Sequence, residues 1–205
     1  KLIAYDNLLT GLRYLSSALS HHPYIGNGRN LSYRKELFFK HKGYCQSLNL
    51  HAGDDDLFIN EASTKENTKV IYTPDSLTEM DPIERFGVWK EMKVSRAATQ
   101  RYYKGNTSTF YHLESTCFFL FQASVIATVV IGLQGNWLIS LIAILLYLIR
   151  FIIKAIVFGK SARMLQQNPT TGWLFLLEFI QPLFNGYIRI YRLFKSKKDY
   201  TFSLS

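Results

Sequence analysis

Between Ser115 and Ile149 the chain carries no charged side chain, and that run constrains the fold more than any motif does. Each crossing of a bilayer's hydrocarbon core takes about 20 predominantly apolar residues. The run is therefore long enough for most of a two-helix hairpin and too long for one continuous span. Gly132, Gln134, Gly135 and Asn136 punctuate it where a turn is expected. The pattern predicts a first span over Thr116–Leu133, a turn at LQGNW (133–137) and a second span over Trp137–Phe158. The competing reading, a hairpin buried in a soluble protein, needs a helix pair with no polar residue on any face, and soluble proteins hardly ever contain one.

The flanks set the expected orientation. Arg150 and Lys154 occupy the last turns of the second span and Lys160 and Arg163 follow it, while the turn at 133–137 is uncharged. Cationic ends favour the cytoplasmic side, which puts the polar first half in the cytoplasm and the turn outside. Arg150 lies deep enough to need a partner or to snorkel toward the interface.

After NPTTG (168–172), the stretch WLFLLEFIQPLFNGYIRIYRLF (173–194) is interrupted by Glu178, Gln181, Pro182, Asn185, Gly186, Arg189 and Arg192. Those interruptions predict a pair of interfacial amphipathic helices broken near Pro182, in place of a third span. The basic KSKKD tail (195–199) is then cytoplasmic. The formal net charge of +9 points to anionic lipid headgroups or a phosphate-bearing ligand. No recognised nucleic-acid motif is present, so nucleic acid is not the expected partner. Cys45 and Cys117 are the only cysteines, too few and too far apart to suggest a disulfide framework or a metal cluster. A chain opening on Lys1 reads as a fragment whose true N-terminus is missing.

In the polar half, Leu8, Leu12, Leu15 and Leu19 recur at helical spacing and predict an amphipathic helix over 5–20. A glycine loop with Gly26 and Gly28 leads into a short strand over Asn30–Tyr33 and then a helix. KVIYT (69–73) reads as another strand, and a long basic helix is expected over Glu84–Lys104. Several of these features also have plain readings. The glycines can simply shape a turn, His21 and His22 can mark a helix end, and Lys35, Lys40, His41 and Lys42 can be a solvated face.

Three adjacent aspartates, Asp54, Asp55 and Asp56, open the apolar run LFINEA. Taken alone they suit a helix N-terminus, with Asp54 as cap and the others favoured by the helix dipole. They do not suit one metal ion, because consecutive helical residues point about 100° apart. They can instead divide tasks between a cap, a carboxylate aimed into a cleft and a partner for a basic neighbour.

YIGNGRNLSYRKELFFKHKGY, GDDDLFINEA, WKEMKVSRAATQRYYKG and an apolar hairpin follow one another in that order. The series resembles the second half of a membrane-anchored family 2 glycosyltransferase of the bacterial type with C-terminal membrane helices, over nearly the whole chain. GNGRNLSYRK is similar to that family's Gly-x-x-Asn-x-Ala-Phe-Arg-Arg block, with Asn30, Ser32, Tyr33 and Arg34 in the matching places. GDDDLF is similar to the Gly-Glu-Asp block that carries the catalytic base. RYYKG (101–105) is similar to the Arg-Trp-x-x-Gly end of the Gln-x-x-Arg-Trp motif, with Ala98 where that motif has glutamine and Tyr102 where it has tryptophan.

The resemblance implies an α/β fold: residues 1–110 as the second half of a GT-A type nucleotide-sugar transferase domain, a membrane hairpin over 111–160, and interfacial helices with a basic tail over 161–205. It implies inverting transfer of a sugar from a nucleotide-activated donor to a lipid-linked or envelope polysaccharide acceptor at the cytoplasmic leaflet, with membrane lipids as further partners. Asp54 takes the glutamate place and Asp55 the base's, with Asp56 the competing candidate. Asn30, Arg34, Arg96, Gln100, Arg101 and Tyr102 are the candidate acceptor and diphosphate ligands, Arg96 or Gln100 standing in where the motif departs.

Trp89, Lys93, Arg96 and Gln100 would share one helix face, from which cations could stabilise a leaving diphosphate. A divalent cation, Mg2+ or Mn2+, would be held by an Asp-x-Asp motif in a half lying before Lys1, with no metal ligand in this fragment. A chain without that half is not expected to be active alone. The rival from another class is a non-catalytic membrane adaptor or inactive remnant. A processive, polymer-extruding synthase is disfavoured, since two spans offer little material for a channel.

Overall fold

The computed structural model describes residues 1–45, 47, 48, 50, 53–83, 85–104, 107–168 and 171–194, with backbone only over 107–112. Among the described residues seven α-helices form: α1 (Leu2–Leu19), α2 (Lys35–Lys40), α3 (Asp54–Ala62), α4 (Phe86–Thr99), α5 (Thr107–Gln134), α6 (Trp137–Met164) and α7 (Leu174–Leu193), with short 3-10 turns between some of them. Two compact units result. One comprises residues up to Ser108 together with the segment from Phe175 onward, the other Thr109–Leu174.

The α/β expectation is overturned. Among the described residues there is no strand and no sheet. Of the stretch expected as a strand over Asn30–Tyr33, Asn30 ends a 3-10 turn (Gly28–Asn30) and Leu31 is extended, φ −135° and ψ 131°. The stretch at 69–73 is irregular and runs into a 3-10 turn at Pro74–Ser76. A strand exists only where its backbone donors and acceptors meet a ladder partner. Extended backbone here is tied by side chains instead, as where Asn30 Nδ2 donates to the Ser76 carbonyl at 2.9 Å.

In the first unit, α1 closes on His21, which takes a left-handed φ of 62° while the His22 N–H returns to the Ser17 carbonyl. The histidine pair is thus a helix end. α3 buries Phe58, Ile59 and Ala62 against Leu31, Leu37, Phe38 and Tyr44. α4 ends at Thr99 and continues as a 3-10 turn to Tyr102, shorter than the helix expected over 84–104, of which Glu84 lies outside the described residues. Its Trp89 stacks on Phe184 of α7 at 4.6 Å and 8°, and Val94 and Ala97 meet Ile188. Stacked aromatic pairs add about 0.5–1.5 kcal/mol beyond the area they bury.

α7 corrects a second expectation, since it runs unbroken through Pro182. Proline removes one intrahelical hydrogen bond, but neighbours on both sides of it hold the axis. Gln181 Nε2 donates to Asp6 Oδ1 at 3.0 Å, and Phe184 lies on Trp89. The KSKKD tail lies outside the described residues.

In the second unit, α5 and α6 are long and apolar enough to cross a membrane, and their flanks are rich in exposed Leu, Ile and Val, the surface a membrane protein presents to lipid. The turn is tight. Asn136 caps α6, its side chain accepting from the Leu138 N–H at 3.0 Å, and Ser140 Oγ donates to the Val129 carbonyl at 2.8 Å. A Cβ on Gly132 would strike Ser140, so glycine lets the helices close together there. Arg150 sets its guanidinium 4.9 Å from the Phe121 ring centroid.

Candidate functional site

α3, α4, α1 and the glycine loop enclose a cleft of about 460 Å³. Its floor is the start of α3. Gly53 precedes the helix with φ 96°, a conformation that non-glycine residues adopt only at a cost, and a Cβ there would stand 2.5 Å from Thr99 Cγ2. The N-cap is therefore Gly53, and Asp54 is the first helical residue, correcting its expected capping role; all three aspartates occupy the first turn, where the helix dipole favours negative charge.

The aspartates have different surroundings. Asp54 is exposed and borders the cleft. Asp55 is a strap: its Oδ2 accepts the Gly28 N–H and its Oδ1 the Asp56 N–H at 2.9 Å. A Cβ on Gly28 would stand 3.0 Å from that Oδ2, and one on Gly26 2.7 Å from Ile59. The two glycines thus let the loop lie against α3.

Asp56 is 7% exposed, lines the cleft and accepts a hydrogen bond from Tyr103 Oη at 3.2 Å. Burial and then the Asp55 charge push its carboxyl up to about 7, against the opposing pull of Arg96 and the Tyr103 hydroxyl. Tyr103 and Tyr14 are themselves pushed well above the usual phenol range, chiefly by burial. Asn60, one turn further along α3, ties two flanking segments to the helix. Its Nδ2 donates to the Tyr24 carbonyl at 3.0 Å and its Oδ1 accepts the Lys104 N–H at 2.6 Å.

Of the residues singled out from sequence, the cleft gathers Asp54, Asp55, Asp56 and Arg96. The others lie elsewhere. Asn30 is committed to Ser76, Arg34 is exposed at the N-cap of α2, and Gln100 lies in the 3-10 turn. Arg101 and Tyr102 are exposed and pair with each other, Nη2 to Oη at 2.6 Å; Gly105 of the same block lies outside the described residues. The expected face of α4 also divides, because Trp89 and Lys93 serve packing and only Arg96 reaches the cleft.

Sequence reasoning missed Tyr14, Met92, Ser95 and Tyr103. Tyr103 is 47 residues from Asp56, and no spacing rule joins them. Among the described residues no group of three or more His, Cys, Asp or Glu could hold a metal ion. The triplet does not fit a divalent cation either, since both Asp55 oxygens face backbone N–H donors and Asp56 is bonded to Tyr103.

Fold and site together define a helical protein with a cleft lined by three aspartates and Arg96 in one unit and an apolar hairpin in the other. Comparison with models of protein families, with curated proteins and with solved structures gave no match.

Proposed function

We propose that this chain supplies the acceptor-activating site of an inverting sugar transferase at the cytoplasmic face of the inner membrane, moving a sugar from a nucleotide-activated donor onto a lipid-linked or envelope polysaccharide acceptor. The observation that carries the reading is a buried carboxylate, Asp56, raised to about 7 in a cleft that also holds Arg96. A general base works best with its pKa near the operating pH. The order of the sequence blocks adds support, as does a hairpin whose cations, Arg150, Lys154, Lys160 and Arg163, gather toward the end of α6.

In this reading the Asp56 carboxylate takes the proton of the acceptor hydroxyl as its oxygen bonds to the anomeric carbon. The bond from that carbon to the donor's phosphate oxygen breaks on the opposite face, and the nucleoside diphosphate leaves with the electron pair. Arg96 stabilises the negative charge that grows there. Asp55 holds the glycine loop that forms the rim.

The test is transfer of labelled sugar from a panel of nucleotide sugars into the lipid and polysaccharide fractions of membranes containing the intact protein. Loss of transfer in Asp56→Asn supports the reading. Membranes with no nucleotide-sugar-dependent transfer above a strain lacking the protein would replace it with the adaptor reading.

A further inference from the structure

α7 turns its charged and amide side chains to its packed side and leaves apolar ones exposed. Its buried face within the first unit includes Leu177, Glu178, Gln181 and Ile188. Arg192 on the same side donates to the Ala97 carbonyl. Every exposed residue of the helix is apolar or aromatic, including Leu176 at 51%, Leu183 at 61% and Ile190 at 59%. At 100° per residue, Leu176, Ile180, Leu183, Tyr187 and Ile190 form one stripe directly opposite the buried one. A helix on an aqueous surface has the reverse pattern, with charges outward.

We infer that the outer face of α7 is a membrane-docking surface, seated in the headgroup–acyl boundary of the lipid bilayer. Three observations choose lipid as the occupant. The stripe holds no charged or amide side chain, unlike the rim of an ordinary protein interface. Residues 165–173 alone join α7 to α6, a linker of at most about 35 Å from a helix suited to cross the membrane. At the edge of the stripe, Lys90 Nζ donates to Tyr187 Oη at 2.8 Å and stands 3.7 Å from the Tyr191 ring centroid, the tyrosine-and-cation edge found at membrane–water boundaries.

The helix lies in the plane of the membrane and does not cross it. Its opposite face is packed on the Asp6–Lys93 pair, and a crossing would carry those charges into hydrocarbon. This inference does not depend on the proposed sugar transfer.

The test uses the full chain in nanodiscs, with Cys45→Ser and Cys117→Ser removing the native thiols. An environment-sensitive fluorophore is attached at Leu183→Cys, at Ile190→Cys and, as an exposed polar control, at Lys65→Cys. Docking predicts quenching by lipids carrying a nitroxide near the top of the acyl chain at 183 and 190 but not at 65. It also predicts at least fivefold lower accessibility to aqueous iodide at 183 and 190 than at 65. Iodide accessibility equal to that of the control overturns the inference. So does protection without lipid quenching that disappears in discs holding a single copy, which would assign the face to a second copy of the chain.

Discussion

Lys93 Nζ stands 2.8 Å and 2.9 Å from the two carboxylate oxygens of Asp6, joining α4 to α1, and Gln181 of α7 donates to the same carboxylate at 3.0 Å. Asp6 is 1% exposed, and burial pulls Lys93 below its usual ammonium range. Removing one member of a buried pair strands the other, at a cost of about 3–5 kcal/mol. Asp6→Ala should therefore destabilise the fold by roughly that amount in thermal denaturation followed by helical ellipticity. Lys93→Met in the same background should restore much of the loss. Asp6→Ala melting with the parent would show that the pair contributes nothing net.

Asp56 and Asp55 should separate in kinetics. Removing a general base costs about 10²–10⁴-fold in rate, so Asp56→Asn should lose transfer on that scale. Asp55→Asn keeps an oxygen acceptor for Gly28 and should lose roughly tenfold, the size of one weakened hydrogen bond of about 1.4 kcal/mol. The opposite ranking would move the base to Asp55.

The rate should rise with pH through about 7 and then level, because only the ionised Asp56 carboxylate accepts a proton. The Tyr103 hydroxyl lowers the Asp56 value by bonding its charged form, so Tyr103→Phe should shift the midpoint upward. A midpoint unchanged by Tyr103→Phe would disconnect the two residues.

The same carboxyl predicts a stability profile. Its folded value, about 7, lies above its ordinary 3.8, so the folded state holds the proton more tightly. The contribution is fully present below about pH 4 and is lost as pH rises through about 7. Asp56→Asn should gain on the parent over that window by up to about 4 kcal/mol, at 1.36 kcal/mol per unit of pKa. Denaturant titrations at pH 4.5 and pH 8 measure the gain, and equal parent–variant differences at both would refute it.

Gly53 carries two separable constraints, its φ of 96° and the nearness of Thr99 Cγ2. Gly53→Ala should cost about 1–2 kcal/mol for the left-handed backbone and a further 1–3 kcal/mol for the crowding. Thr99→Ser removes the nearest methyl while its Cβ, 3.0 Å away, stays, so in that background Gly53→Ala should show the first part and a reduced second part.

What could be read from the chain was whatever local pattern decides. The charge-free run at 115–149 produced two long helices with their turn where Gly135 and Asn136 stand, because apolar length and turn residues are properties of neighbours in sequence. The acidic first turn of α3 was equally visible, since dipole and charge act over one turn. The strands expected at 30–33 and 69–73 were not decidable locally, because extended backbone becomes a strand only if a distant segment supplies its ladder.

Site membership failed for the same reason. Arg96 reaches the cleft while Arg101, five residues on, pairs with Tyr102 in solvent; the difference lies in the end of α4 at Thr99 and its packing on α7. Likewise Gln181 and Arg192 of α7 read as interruptions of a span until the structure turned them toward Asp6 and Ala97. The chain by itself determined the two long apolar helices, the turn between them and the acidic start of α3. Only the tertiary structure decided which side of each helix is packed, faces the cleft or is left exposed, because facing depends on partners remote in sequence whose burial outweighs any local preference.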